Sequence, residues 1–405
     1  MGEVIRLNLR NGIRANPAMS LGTLRHLTGM SPDEFAAAIA DEAGEPVPAS
    51  VYMAYEDDEP PPPPATILSA ARRVAAHARQ GEGADGRIFH AIDRERLNSV
   101  LCYSWPVDAE LLEQMELAHE WLNARSEIEP PRLVQPDLRN WLDILQDLLR
   151  CNQPEATGIR IRSMAARAAC HLGYLSFRDL RCSNATSYYA KSASLAREAG
   201  DDDELAILIL RQQRLVAAKE GLRAAVNLVE SLEGLLSPGA PSGLTAWRWG
   251  ERARQEALLG NELAAGRYLD LAMSAADRDP HRLNLFAADK DSRWLQRRPA
   301  YVALHLGHTA EAIDLLERNR NGSDPALVRE TIWNSIELAE AWAVHGELDN
   351  TCEYFDDALA MAICTEDVRA LSVIRKIRTR HLTRWEGNSR LKALDDHLRS
   401  ASLCL

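Results

Sequence analysis

Alternating Val/Ile/Thr runs, the pattern of half-buried strands, are almost missing from this 405-residue chain, in which Ala, Leu, Arg and Glu dominate. That imbalance excludes a sheet-built fold and points to helices. Apolar stretches are short: Leu205–Leu210 falls far below the roughly 20 residues of a membrane span. With no apolar signal core at the N-terminus either, the expectation is a soluble, cytoplasmic protein. No two of the seven cysteines (102, 151, 170, 182, 352, 364 and 404) form a CxxC pair, and an odd number at irregular spacing fits reduced, mostly buried thiols. Positive charge is in deficit: a net charge of −12 argues against a chain coated in nucleic acid, although it leaves room for a local basic face.

Arrangements that carry chemistry are equally sparse. His305 and His308 read as lying on one helix turn, with Cys352 and Cys364 further along, but no three or four ligands converge at metal spacing. Asp201-Asp202-Asp203-Glu204 lacks the glycine and alternate spacing of a calcium loop, and after Gly200 it reads as the N-cap and acidic first turn of a helix. The stretch Gly81 to Gly86 fits G-x-G-x-x-G literally, yet a helix precedes it where a dinucleotide site needs a strand, so it reads as linker. Two sequons, at Asn184 and Asn321, mean little in an intracellular chain. Without a nucleophile–base pair or a phosphate loop, we expect neither enzymatic activity, nor a cofactor, nor a metal.

What the chain does have is a repeat. Trp247 and Gly260, Trp294 and Gly307, and Trp333 and Gly346 are each thirteen residues apart. Five past each glycine stand Ala265, Ala312 and Thr351, and nine past stand Leu269, Leu316 and Phe355. A small and then a bulky residue is what a close helix pair requires. At twelve past, two copies carry Ala272 and Ala358, while the third breaks off between Asn319 and Asp324. This spacing resembles the tetratricopeptide repeat, whose loop glycine, small residue and aromatic occupy those offsets. Intervals of 47 and 39 residues exceed that family's 34, which suggests longer helices or loops. Trp249 and Trp342 fall where the family places core aromatics and read as packing. Fainter copies lie upstream, in 161–200 with Ala185, Tyr189 and Ala193, and in 205–236 around Gly221.

The resemblance implies a concave surface lined by the first helix of each repeat. Seven residues past each tryptophan, helical spacing puts Arg254, Tyr301 and Glu340 on a related face. Trp247, Trp294 and Trp333 with these three are therefore candidate partner-binding residues, since aromatic and Arg side chains dominate binding hot spots. The alternative is that the tryptophans pack between adjacent repeats.

The N-terminal stretch reads LGTLRHLTGM, SPDEFAAAIADEAG, VPASVYMAYEDDEPPPPP and ATILSAARRVAAHAR. That is a helix, a Ser-capped helix with acids in its first turn, a short third helix, a proline barrier and a fourth helix. The order resembles the phage-repressor type of helix-turn-helix, the XRE family. Ala36 and Ala37 stand at its close helix contact and Tyr55-Glu56 at the end of its recognition helix. The loop from Glu42 to Pro48, and the stretch Ile92 to Leu97 further on, also resemble features of actinobacterial members that carry repeat domains. The resemblance implies DNA binding through Ser50, Tyr52 and Met53, with Arg6, Arg10, Arg14, Arg25 and Arg72 on phosphates. The chain departs from the pattern in having Ser31-Pro32 where Thr-Gln is usual. Nine acids and no Lys or Arg lie between Ser31 and Glu59, a charge that phosphate repels.

The expected protein is all-α: a helix-turn-helix domain at 1–80, a linker and helical connector at 81–155, and a tetratricopeptide-like solenoid with closing helices at 156–405. The resemblance implies a dimeric transcriptional regulator whose repeats sense a peptide or protein partner. The competing reading is an interaction adaptor whose helix-turn-helix domain has lost DNA. A basic stretch from Arg375 to Arg399, with eight Lys or Arg against Glu386, Asp395 and Asp396, reads as a solvated face on the closing helices or a contact for an acidic partner.

Overall fold

The computed structural model describes residues 32–43, 92, 94–236, 240–276, 292–321 and 328–404, and every regular element among them is a helix. The chain divides into two compact units, 1–90 with 324–327, and 91–323 with 328–405. The first is described through α1 (Pro32–Ala43). In α1, Ala36 and Ile39 are buried one turn apart and Ala37 is exposed, so a close contact here rests on Ala36 and not on the expected alanine pair.

The second unit holds α2 (Arg94–Tyr103), α3 (Ala109–Ile128), α4 (Pro131–Arg150), α5 (Glu155–Arg178), α6 (Cys182–Ala199), α7 (Asp202–Glu220), α8 (Leu222–Glu230), α9 (Ser242–Leu258), α10 (Glu262–Ala276), α11 (Ser292–Gln296), α12 (Arg298–His305), α13 (Thr309–Asn321), α14 (Val328–His345), α15 (Leu348–Cys364), α16 (Val368–His381) and α17 (Ser389–Cys404). Consecutive helices pair as hairpins: α5 with α6, α7 with α8, α9 with α10, α12 with α13, and α14 with α15; α16 and α17 close the array against α14 and α15. The helices of the expected connector, α2 to α4, belong to this same unit.

The repeat glycines sit in the hairpin loops, at φ +76° (Gly260), +89° (Gly307) and +108° (Gly346). There the chain leaves the first helix through a left-handed residue and satisfies the last carbonyls. Asn261 N–H bonds Glu256 O at 2.9 Å, His308 N–H bonds Ala303 O at 2.9 Å, and Glu347 N–H bonds Trp342 O at 3.0 Å. The α5/α6 loop closes the same way, with Arg181 N–H on Ser176 O at 2.9 Å, but its left-handed residue is Leu180 at φ +59°. His308 follows Gly307 and precedes α13 while His305 ends α12, so the two histidines do not share a helix turn.

The small positions are where the hairpin helices touch. Ala265, Ala312 and Thr351 are wholly buried, as are Leu316, Phe355, Ala272 and Ala358, while Leu269 is half-buried. In the second copy the first helix is broken at Arg297: Trp294 lies in α11, and α12 restarts with Pro299 in its first turn, where a missing N–H costs nothing. Upstream, Ala185 and Tyr189 are wholly buried, and Tyr189 lies against Gly173, where any side chain would come within 2.6 Å of its ring. Asp201 caps α7 by accepting from Glu204 N–H at 2.9 Å, as the acidic run predicts. Only two of the six described cysteine side chains, Cys170 and Cys352, are buried. Cys102 and Cys364, near the ends of their helices where packing runs out, are exposed, so the expectation of mostly buried thiols is corrected.

The array curves until its beginning meets its end. Arg178 on α5 pairs with Asp367, just before α16, at 3.2 Å; Arg132 on α4 pairs with Glu366 at 2.5 Å; and Arg329 on α14 donates to the Tyr174 hydroxyl on α5.

Candidate partner-binding wall

The first helices of the hairpins (α5, α7, α9, α12, α14 and α16) form the wall, and helical spacing decides which residues reach it. Four past each repeat tryptophan come Glu251, Arg298 and Glu337, and seven past come Arg254, Tyr301 and Glu340; i, i+4 and i+7 share one face.

Glu251, 1% exposed, is the hub. Its Oε2 accepts from Arg254 Nε at 2.7 Å and Gln213 Nε2 at 2.9 Å, and its Oε1 is approached by Arg298 at 3.3 Å and Arg214 at 3.6 Å. The carbonyl oxygen of Gln213 in turn accepts from Arg254 at 2.9 Å and Gln255 at 3.3 Å. Burial alone would raise the Glu251 pKa, but Arg298, Arg254 and Arg214 outweigh it and hold the carboxyl well below the usual range. Arg298 is pushed down to about 10 by burial; Glu251 opposes this, and repulsion from Arg214 and Arg254 adds to it. One carboxylate thus serves three guanidiniums.

Beside this hub, Arg297 bridges Glu330 at 2.7 Å and Glu337 at 3.3 Å. Burial raises the Glu337 pKa against the pull of Arg297 and Arg298. Further round, Arg211 and Arg329 lie 5.0 and 5.3 Å from the centre of the Tyr174 ring. Arg369 lies between the Phe177 ring at 4.8 Å and the Trp333 ring at 4.9 Å.

The candidate residues divide. Arg254 lies 5.9 Å from the Tyr301 ring, Tyr301 meets His305 edge to face at 4.1 Å, and Glu340 lies 3.7 Å from His381. The Glu340 charge also reaches His305, so Arg254, Tyr301 and Glu340 lie along one row that crosses α9, α12, α14 and α16. Trp247 and Trp294 do not join it. Each is 3% exposed, and they pack on one another at 6.3 Å with rings 74° apart, leaving no surface for a partner. A contact between either and a ligand is thereby corrected to core packing, because the hairpins approach so closely that a side chain at Gly250 would come within 2.9 Å of the Trp294 ring. Trp333 is half-buried beneath Arg369. Trp249 stacks on Tyr268 at 5.4 Å and Trp342 packs among Ala300, Leu304 and Leu338, both in packing roles. Sequence reasoning followed the seventh residue past each tryptophan and missed the fourth, which carries the hub. It also missed Tyr174, Arg211, Arg214, Arg329 and Arg369, which lie on helices without a repeat tryptophan or beyond its offsets.

Three of the eight residues of the basic stretch are paired in place: Arg378 with Asp395 at 2.7 Å, Arg390 with Asp356 at 3.2 Å and Arg399 with Asp396 at 2.7 Å. Arg375, Lys376 and Arg380, with Ser372 and Thr379, instead line a cavity of about 490 Å³ bordered by Leu180 and Val368. Among the described residues no group of His, Cys, Asp and Glu is arranged to hold a metal ion, and no helix is long and apolar enough to cross a membrane. The DNA-binding candidates Arg6, Arg10, Arg14, Arg25, Ser50, Tyr52, Met53 and Arg72, like the Gly81 to Gly86 stretch, lie outside the described residues.

No family model matches the chain, and no curated protein matches it. Among solved structures, the crystal structure of the P58(IPK) TPR domain aligns with 83% of this chain and 93% of its own at 12% identity. The TM-score is 0.22, so the alignment carries no argument about how the hairpins are arranged.

Proposed function

We propose that the chain is a binding protein whose helical repeats capture a peptide or protein partner and, through it, govern an N-terminal XRE-like domain that meets DNA as a homodimer. The observation that carries the partner-binding half is the half-buried row of Tyr301, His305, Glu340 and His381, backed by buried Arg254, which sets aromatic, imidazole and anionic side chains across α12, α14 and α16. Such mixed rows suit capture of an extended partner, because each hairpin supplies one anchor. The regulatory half rests on the resemblance of residues 21–79 to a repressor-type helix-turn-helix. A mobility-shift assay on genomic fragments at low and moderate salt tests it. Binding that falls steeply with salt and weakens in Arg10→Gln and Arg72→Gln supports a DNA reader; no shift at any salt removes that half.

The second reading is an adaptor, favoured by nine acidic residues and no basic one between Ser31 and Glu59. It expects no DNA binding, together with partner capture that Tyr301→Ala abolishes.

A further inference from the structure

One stripe of α16 faces away from the core and carries charge of a single sign. Ala370, Leu371, Ile374 and Ile377 are buried, whereas Val368, Ser372, Lys376, Thr379 and Arg380 follow one another at helical spacing along the cavity of about 490 Å³, which Arg375 and Leu180 of the α5/α6 loop also border. Lys376 and Arg380 are exposed and make no ion pair among the described residues. The acids that precede Leu180 and Val368 in the chain are engaged elsewhere. Asp179 accepts from Gln135 Nε2 at 2.7 Å, Glu366 pairs with Arg132 at 2.5 Å, and Asp367 pairs with Arg178 at 3.2 Å. At that same end Leu180 holds an apolar side chain 45% exposed. The Thr379 hydroxyl donates to Arg375 O at 2.9 Å, which leaves its oxygen as an acceptor.

We propose that this groove between α16 and the α5/α6 loop binds a short acidic peptide segment of a partner, with an apolar residue against Leu180 and Val368 and two acids on Lys376 and Arg380. The spacing suits an extended chain. Lys376 and Arg380 are four residues apart, about 6 Å along the helix axis, close to the roughly 6.6 Å between alternate side chains of an extended peptide. From Val368 to Lys376 the axis rises about 12 Å, the length of about four extended residues. The fitting pattern is therefore two acids at alternate positions, with an apolar residue about four positions from the nearer one. A peptide suits the groove better than a nucleic acid does. The Thr379 oxygen offers an acceptor that a peptide N–H can use and a phosphodiester cannot; no aromatic ring lines the cavity for a base to stack on; and a net charge of −12 repels a long polyanion. The groove goes beyond the row of Tyr301, His305, Glu340 and His381 and stands without it.

Fluorescence anisotropy of the full chain with a labelled Leu-Ser-Gly-Ser-Glu-Ser-Glu peptide, and with the same peptide reversed, tests the groove. One of the two should bind saturably at low salt and weaken as salt is added. Lys376→Gln and Arg380→Gln should each weaken it about threefold and the double variant about tenfold, with the melting temperature unchanged because both side chains are exposed. Leu180→Asn, a residue that tolerates the left-handed backbone, should erase the advantage of the leucine peptide over one with serine in its place. Tyr301→Ala should leave the affinity as it is. Absence of saturable binding by either peptide, equal affinity for a peptide with glutamine in place of both glutamates, unaltered affinity in the double variant, a loss of affinity in folded Tyr301→Ala protein, or tighter binding of a short single-stranded DNA overturns the proposal.

Discussion

Arg178 and Asp367 meet at 3.2 Å with 2% and 1% of their side chains exposed, although 189 residues separate them. Burial pushes the Asp367 pKa up, but Arg178 and Arg329 outweigh it, so the carboxyl titrates below its ordinary range. Removing one partner strands the other charge. Arg178→Met should cost about 3–5 kcal/mol in urea unfolding, and the double variant Arg178→Met with Asp367→Leu should recover part of it. An additive double variant would show that the two residues act separately.

Core tryptophans make a second prediction. Trp247→Ala and Trp294→Ala should each destabilise by about 3–5 kcal/mol, because a large ring leaves a cavity its neighbours cannot fill. Gly250→Ala should cost about 1–3 kcal/mol by forcing the same contact from the other side. Denaturation of the three variants checks both, and near-wild-type stability would place the tryptophans outside the core.

A third follows from the hub. Glu251→Gln keeps the shape and removes the charge that Arg214, Arg254 and Arg298 share. A loss of about 3–5 kcal/mol is expected. Arg298→Met made in the Gln background should restore some of it, since one stranded cation goes with it; thermal melts of the single and double variants would show whether it does.

The pH dependence has a sign on each side. Burial, with repulsion from Arg167 and Arg211, pushes His119 down from 6.5 to about 3, and neither ring nitrogen has a hydrogen-bond partner among the described residues. Between those values the unfolded chain binds a proton that the native chain does not, so this contribution is lost as pH falls from 6.5 to about 3. Burial of Glu204 acts the other way, raising it from 4.5 to about 8 despite Arg167, so its contribution is lost as pH rises through that interval. The two slopes oppose one another between 4.5 and 6.5. Unfolding midpoints measured across pH should fall on both sides of that plateau, with His119→Leu flattening the acid side and Glu204→Gln the alkaline side.

Leu180 supplies a prediction of gain. A leucine at φ +59° sits where its Cβ crowds the backbone, so Leu180→Gly should stabilise by about 1 kcal/mol as long as the relief exceeds the added freedom of the unfolded chain. Chemical denaturation of this variant reads the sign directly.

That same leucine explains how far the repeat could be read. In the last three hairpins the left-handed loop position needs a glycine and has one, so Gly260, Gly307 and Gly346 announce the loops in sequence. In the α5/α6 hairpin the loop geometry is kept by Leu180 without that marker, and the copy looks faint. The wall was half legible for a similar reason. Helical spacing brought Arg254, Tyr301 and Glu340 onto one row, but nothing local reveals that α5 lies against α14 and α16. Tyr174 therefore gave no sign of its arginines, and the burial of Trp247 and Trp294 depends on how closely neighbouring hairpins approach.

The contact between the two ends also bears on the order of events during synthesis. Tyr174 and Arg178 leave the ribosome long before Arg329 and Asp367, 155 and 189 residues later, which complete them. Each earlier hairpin can form from local contacts as it emerges, but the first one keeps an incomplete face until the last is made. A nascent or truncated chain ending before Asp367 would thus leave Arg178 without its acid, a state suited to recognition by chaperones. Once the circuit is complete, loss of the final hairpins would loosen the first, so the repeats should unfold together and not fray one by one from an end.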